Sequence, residues 1–419
     1  MDLLEQSGVI SRIFEKRASK GQQTNLKDPT LNDMFGYGRE SAAGIQVTPE
    51  AAEGLSAIFA CVNLLSSVLA MIPLYLYEEQ GDSKKKAKDH PLFNILAKLP
   101  NKMHTAIDFW QIMLRNMLLF GNGYALIVRD NSGKITELLP LNPKSMMVFI
   151  GGDGLPAYKY TYVDGTEAIY LNAEILHLVD YYDYNGFIGR SRVQVCQDTT
   201  GLYMAAEEFS SKFFANGSMI AGVLQHPSTL SDTAYARLLK SWNERHSGAA
   251  NAYKPALLEE GVTWQSIGVK PEDAQLLDTR KQQVIEACRL YNVPPHMIQS
   301  LDKATYSNIE DQSINFATYS LMIPATKVEQ NVYKDLLLTS EKQRYTAEYD
   351  MKTLTRGNTV ARMTKNKEMF YMGAYSQNDV RREEGENPIE GGDVYYVPAN
   401  LLKADEAMTN DNTEGNENV

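Results

Sequence analysis

The chain has 419 residues, enough to bury a large core and to form more than one structural region. Its 43% hydrophobic and 22% charged residues are ordinary for a globular protein, which argues against a fibrous or disordered class. The formal charge of −11, from 41 basic and 52 acidic residues, argues against a protein that grips nucleic acid over its whole surface, because phosphate contact needs a basic excess.

In chain order, residues 1–46 are polar and weakly periodic and read as an N-terminal arm; they lack the basic start and apolar core of a secretory signal. The stretch 48–73 opens with Thr48 as helix cap and Pro49 at the first helical position. The apolar run 55–77 within it has the length of a membrane span. It carries Asn63, Ser66 and Ser67 and passes through Pro73 into "LYLY", so a buried helix followed by a strand is expected instead. "HPLFNILAKLPN" reads as a short helix stopped by Pro100, and "AIDFWQIMLRNMLLFG" as a helix ended by Gly121. Residues 125–180 alternate in the manner of strands around the turns "NSGK" and "DG", predicting an antiparallel region of five strands.

Two long helices are expected at 190–215 and 271–292, separated by a β-α-β insertion at about 217–268 whose helix is capped by Ser231. "YNVPPHMIQSLDKATYSNIEDQ" (291–312) is neither a tight turn nor a linker, and it leads into a helix at 308–338 that carries Pro324 and should be kinked there. A late strand, "KQRYTAEYD", and a helix, "TVARMTKNKEMFYMGAYS", come next. The last sixteen residues hold five acidic side chains and no basic one, so the tail is predicted to be disordered.

Catalytic motifs are missing from this pattern. There is no GxxxxGK[ST] loop, no HExxH and no paired cysteines, and Cys61, Cys196 and Cys288 lie far apart, as expected of reduced thiols in an intracellular protein. The six histidines (90, 104, 177, 226, 246 and 296) are scattered and suit surface or hydrogen-bonded core positions. "GNGYA" and "GGDG" read as glycines at helix ends and turns rather than a phosphate cradle. No catalytic residue, metal site or cofactor is expected.

The order of motifs from Ser56 to Asn400 nevertheless resembles one family. "FACVNLLSSVLAMIPLYLYE", "HPLFNILAKLPN", "LFGNGYALIVRDNSGKITELLPLNP", "GRSRV", "FFANGSMIAGVL", "YNVPPHMI", "ATYSNIEDQSINFATYSLMIPATKVEQNV" and "GAYSQNDVRREEGENPIEGGD" succeed one another as in the portal (head-tail connector) proteins of tailed bacteriophages, the short type of long-tailed phages. Asp379 stands where such proteins often carry Glu.

The resemblance implies an α+β portal-type fold. It has a β-rich α/β wing (47–189), a two-helix stem (190–216 and 269–293), a small β-α-β clip (217–268) and a tunnel loop (294–307). Beyond these come a kinked helix with the second part of the wing (308–354), a short helical crown (355–400) and the acidic tail (401–419). It implies a homo-oligomeric ring, usually of twelve subunits, at a capsid vertex in the virion, assembled in the host cytoplasm. Double-stranded DNA passes through its channel, and its partners are terminase, a head-completion or adaptor protein, and the major capsid protein or scaffold, with no membrane. The residues that would narrow the channel are Gln299, Ser300, Leu301, Asp302, Lys303, Ala304, Thr305, Tyr306, Ser307 and Asn308. Lys303, with Arg280, Lys281 and Arg289 on the stem, are candidates for transient phosphate contact; each suits an intersubunit salt bridge equally, and for the three stem cations the salt bridge is the favoured reading. The competing readings are a particle-borne nuclease or protease and a monomeric α+β binding protein.

Overall fold

The computed structural model describes residues 40–81, 83–215, 222–227, 229–246, 261–266, 273–299, 315–351, 353 and 359–396. The chain divides into two units, Met1–Glu348 and Tyr349–Val419.

In the first unit, α1 (Pro49–Glu53) is capped by the Thr48 hydroxyl, which accepts from the Ala51 amide at 3.2 Å. The single helix expected at 48–73 is broken after Gly54, and α2 (Ser56–Met71) begins afresh. Its buried positions Ala57, Ile58, Cys61, Val62, Leu65 and Leu69 recur at helical spacing and form one face. That face packs on α4 (Ala106–Phe120), which buries Phe109, Trp110, Met113, Leu114 and Met117. The polar residues that told against a membrane span lie along the same contact: Gln111 donates to Ser67 at 2.9 Å, and Ser67 to Asn63 at 3.2 Å. Among the described residues no helix is long and apolar enough to cross a membrane. α4 has a full capping box, Thr105 with Asp108, and stops at Gly121, whose φ of 78° is the left-handed region that glycine enters without strain. Between α2 and α4, β1 (Leu74–Gln80) pairs antiparallel with β2 (Ser83–Lys86), and α3 (Pro91–Ala97) ends ahead of Pro100.

The β-rich part has six strands rather than the five expected. β3 (Asn122–Arg129) lies between β4 (Ile135–Leu141) and β8 (Ile175–Val179). The second sheet has the order β5 (Met146–Ile150), β6 (Pro156–Thr161), β7 (Glu167–Tyr170). β5, "MMVFI", is the extra strand; as a continuous apolar run it carries no alternation to betray it. Tyr124, Leu141 and Ile175 of the first sheet and Val148, Tyr158 and Tyr160 of the second form one buried cluster.

The helix expected from 190 is interrupted at Cys196, giving α5 (Arg192–Val195) and α6 (Gln197–Ala215). In the insertion, β9 (Gly222–Gln225) pairs antiparallel with β10 (Thr263–Ser266), with α7 (Asp232–His246) between them in sequence. Ser231 caps α7. α8 (Asp273–Tyr291) packs against both α2 and α6. After 314 the backbone runs through a π-helical turn (Phe316–Leu321) into α9 (Met322–Asp335), which covers β8. Pro324 sits early in α9, so the hydrogen bond it lacks falls where the helix has already widened to π spacing. β11 (Tyr345–Tyr349) joins β1 at the edge opposite β2.

The second unit contains α10 (Thr359–Tyr371) and α11 (Gln377–Glu384), where the sequence suggested one helix continuing to 376. Ser376 caps α11 and Asp379 reaches back to the Ser376 amide at 2.9 Å, so Asp379 performs the capping-box role that Glu also fills. Both the arm before Glu40 and the acidic tail fall outside the described residues.

Candidate functional site

The chain leaves α8 at Asn292, whose φ of 55° turns it into the left-handed region. The Val293 amide donates to Cys288 carbonyl at 2.9 Å, closing the helix end. Pro294 (φ −61°) leads into a single 3₁₀ turn, Pro295–Ile298. Gln299 (φ 64°) redirects the backbone a second time and is exposed, with its amide on His296 carbonyl at 3.1 Å. The paired prolines thus hold a built exit from the helix rather than a slack linker. Ser300, Leu301, Asp302, Lys303, Ala304, Thr305, Tyr306, Ser307 and Asn308 lie outside the described residues.

Where the chain resumes, its two ends are tied together. Asn292 Nδ2 donates to Tyr319 carbonyl at 3.1 Å, and Ser320 Oγ donates to Asn292 carbonyl. One tie comes from the end of α8 and the other from the π-helical turn, so the described backbone on the two sides of residues 300–314 is held together at a neck.

Beneath the neck is a charged node. Asp180, just after β8, has a side chain only 5% exposed. Arg192 of α5 grips it with both Nε and Nη2 (2.8 Å for the latter) and places Nη1 3.1 Å from Leu290 carbonyl near the end of α8. Its guanidinium also lies 5.6 Å from the centre of the Tyr291 ring. Lys327 of α9 donates to Asp180 carbonyl. Burial works against the charge on Arg192, and the hydrogen bond to Asp180, the charge of that carboxylate and Tyr291 together more than restore it, leaving the guanidinium above its usual range. The node joins β8, α5, α8 and α9 at the point where the loop begins and ends.

The stem cations have local partners. Arg280 lies 3.0 Å from Glu207 of α6, bridging the two stem-like helices. Arg289 lies 2.5 Å from Glu286 one turn earlier. Lys281 also makes a polar or electrostatic contact. Asp180, Arg192, Lys327, Asn292 and Ser320 escaped the sequence reading as site residues. All but Asp180 fall within the quoted motifs, but nothing there marks them as partners, since pairing across 147 residues, as between Asp180 and Lys327, leaves no local pattern.

A second polar hub lies at the start of β3. Asn122 Nδ2 donates to Gly189 carbonyl at 2.7 Å, and its Oδ1 accepts from the Gly189 amide at 2.7 Å and faces His177 Nε2 at 2.9 Å. His177 Nδ1 faces the Tyr158 hydroxyl at 3.2 Å, so the neutral ring is satisfied on both sides. Burial, with Lys334 second, pushes this imidazole down to about 3. It is a core histidine. Among the described residues no cluster of His, Cys, Asp and Glu suits a metal ion.

Comparison with known proteins gives a consistent result. The family model described as "Phage portal protein" matches residues 56–385. The probable portal protein of Streptomyces phage phiC31 is 31% identical over 411 residues, covering 94% of this chain and 89% of that one. The portal protein of Enterobacteria phage HK97 is 30% identical over 367 residues, 86% of each chain. The fold is shared with a chain from the neck of a native gene transfer agent particle computed with C12 symmetry, at 22% identity and a TM-score of 0.52, covering 80% of this chain and 91% of that one. The two three-stranded sheets of 122–179, the helices α6 and α8 and the ties from Asn292 to Tyr319 and Ser320 occur within the matched span, and the chain belongs to the phage portal protein family.

Proposed function

We propose that copies of this chain close into a ring, of twelve subunits, at one vertex of a phage capsid, and that duplex DNA enters and leaves through its channel. The observation that carries this reading is the match to the portal family from residue 56 to 385, through sheets, paired helices, insertion and loop in one order. Residues 47–189 with 308–354 act as wing, the helices of 190–216 and 269–293 as stem, 217–268 as clip and 355–400 as crown. The clip meets terminase during packaging and a head-completion protein afterwards, while capsid or scaffold protein surrounds the ring. The role is structural rather than enzymatic.

Gln299–Asn308 serves as the tunnel loop facing DNA. The clamp between Asn292 and Ser320 and the Asp180–Arg192 node support that reading, because a loop pressed by a moving polyanion needs a neck that does not unravel. Lys303 is the residue assigned to transient phosphate contact. Arg280 and Arg289 are partly neutralised by Glu207 and Glu286 and contribute less, which suits a conduit: each free cation adds counterion release and so a point of sticking.

Deleting Asp302–Thr305 tests the assignment. Rings should still form on electron micrographs, and packaged or retained DNA should fall, read as the ratio of full to empty particles. Loss of the ring itself would make the segment an assembly element instead.

A further inference from the structure

Between α6 and α8 lies a pocket of about 640 Å³, bounded by Leu202 of α6, Gln283 of α8 and Ile58 of α2. α8 buries Gln283, Ala287, Cys288 and Tyr291, the i, i+4, i+5, i+8 positions of one helical face. Gln283 is the amide on that face. It is 6% exposed, and neither its Nε2 nor its Oε1 has a hydrogen-bond partner among the described residues. The polar groups at the pocket's rim, by contrast, are knit to one another: Gln282 donates to Glu286 at 3.0 Å, and Arg289 lies 2.5 Å from the same carboxylate. A buried amide that has lost water at both ends without replacement destabilises the chain carrying it, so its partner arrives from outside that chain.

The chemistry of the pocket limits what that partner is. A carboxamide presents donors and an acceptor side by side, and the N–H and C=O of a peptide backbone answer both. A phosphate or carboxylate answers only the donors, and an ammonium only the acceptor. Among the described residues that line the pocket, Asp278 and Glu286 outnumber the cation Arg289, which further disfavours an anion such as the DNA backbone. The wall beside the amide is apolar and open. Leu202 is 58% exposed, and Phe209, seven residues on and two turns along the same face of α6, is 52% exposed. A peptide segment carrying an apolar side chain satisfies the amide and covers this strip together.

We propose that the α6–α8 pocket is the docking site for a second copy of this chain, whose backbone pairs with Gln283 and whose apolar side chains cover Leu202 and Phe209. The choice of occupant rests on the ring proposed above: in a closed ring the surface held against these helices belongs to the next subunit, and the same heterologous contact repeats at each one. The site is incomplete in a single chain, because the hydrogen bonds Gln283 lacks are supplied by the neighbour.

Cys196 lines the same pocket and is the exposed one of the chain's three cysteines, so it reports on the cover without any substitution. Maleimide labelling is followed by mass spectrometry across a range of protein concentrations, with mass photometry and electron micrographs of the same samples. Cys196 should label about tenfold more slowly in assemblies than in the single chain, and a photo-cross-linking amino acid in place of Leu202 should capture a second copy. Gln283→Leu separates docking from folding. It should raise the concentration needed for assembly about tenfold while the unassembled chain unfolds at an equal or higher denaturant concentration, since an unpartnered amide has been replaced by an apolar group. A glutamine that matters only to its own chain would show the reverse, a weakened fold and unchanged assembly, and that result would overturn the proposal. So would assemblies in which Cys196 labels as fast as in the single chain, protection that appears only when another particle protein is added, or a chain that never assembles and keeps Cys196 open. Rings with Cys196 open leave the ring reading intact, while a closed assembly that is not a ring but protects Cys196 leaves the docking site intact and removes the ring.

Discussion

Asn122 illustrates how a residue without chemistry of its own organises this protein. It holds the segment around Gly189 against the end of α4, where the two backbones come so close that a Cβ on Gly189 would lie 2.0 Å from Gly121 carbonyl oxygen. The glycines of "GNGYA" are therefore packing residues, as their reading as helix-end glycines began to suggest. Asn122 also sets the proton on His177. With its amide nitrogen donating to Gly189 and Phe120, its oxygen accepts from Nε2, and Nδ1 is left to accept from Tyr158. The neutral ring is buried, so protonation is linked to unfolding. Its contribution is complete above the ordinary histidine value near 6.5 and is lost as pH falls towards about 3, by up to about 1.4 kcal/mol per pH unit. The nearby Asp335, whose carboxyl burial pushes upward, acts in the opposite direction. The imidazole's share is thus the difference between the wild type and His177→Gln in denaturant titrations. That difference should shrink from pH 7 to pH 4; a constant difference would mean that the ring is not buried neutral.

At the scale of elements, the junction of β8, α5, α8 and α9 depends on one buried carboxylate. Replacing Arg192 with Met leaves Asp180 with Lys327 as its remaining cationic neighbour, 3.9 Å away, and should cost about 3–5 kcal/mol. Chemical denaturation reads the total, and faster exchange at Leu290–Gln299 would place the loss at the loop neck. A cost under about 1 kcal/mol would show that the node is not what fixes the end of α8. Much of this architecture was legible from the chain. Thr48 and Gly121 marked helix ends, Ser231 marked α7, and "NSGK" and "DG" marked hairpin turns. What escaped had physical reasons. β5 is apolar on consecutive residues, Cys196 interrupts a pattern that remains periodic on either side, and the π-helical turn before Pro324 replaces a simple kink. Of the candidate site, the paired prolines marked the exit from α8, while the ties from Asn292 to Tyr319 and Ser320 cross about 27 residues and leave no local signature.

For the whole molecule, the apolar surface that composition alone could not interpret finds its use in repetition. Subunits meeting through a heterologous surface close into a ring when the rotation between neighbours is fixed. Among the described residues no further strand pairs with the short β9–β10 pair, so a neighbour's strands could complete its edges. On the function proposed above, an acidic chain, at −11, would line a path for DNA with few places to stick. The most direct test is negative-stain electron microscopy of the purified chain with mass photometry on the same sample. The account predicts closed rings of about twelve subunits around a hole of roughly 20 Å or more, wide enough for duplex DNA. A compact closed dimer without a hole would contradict it.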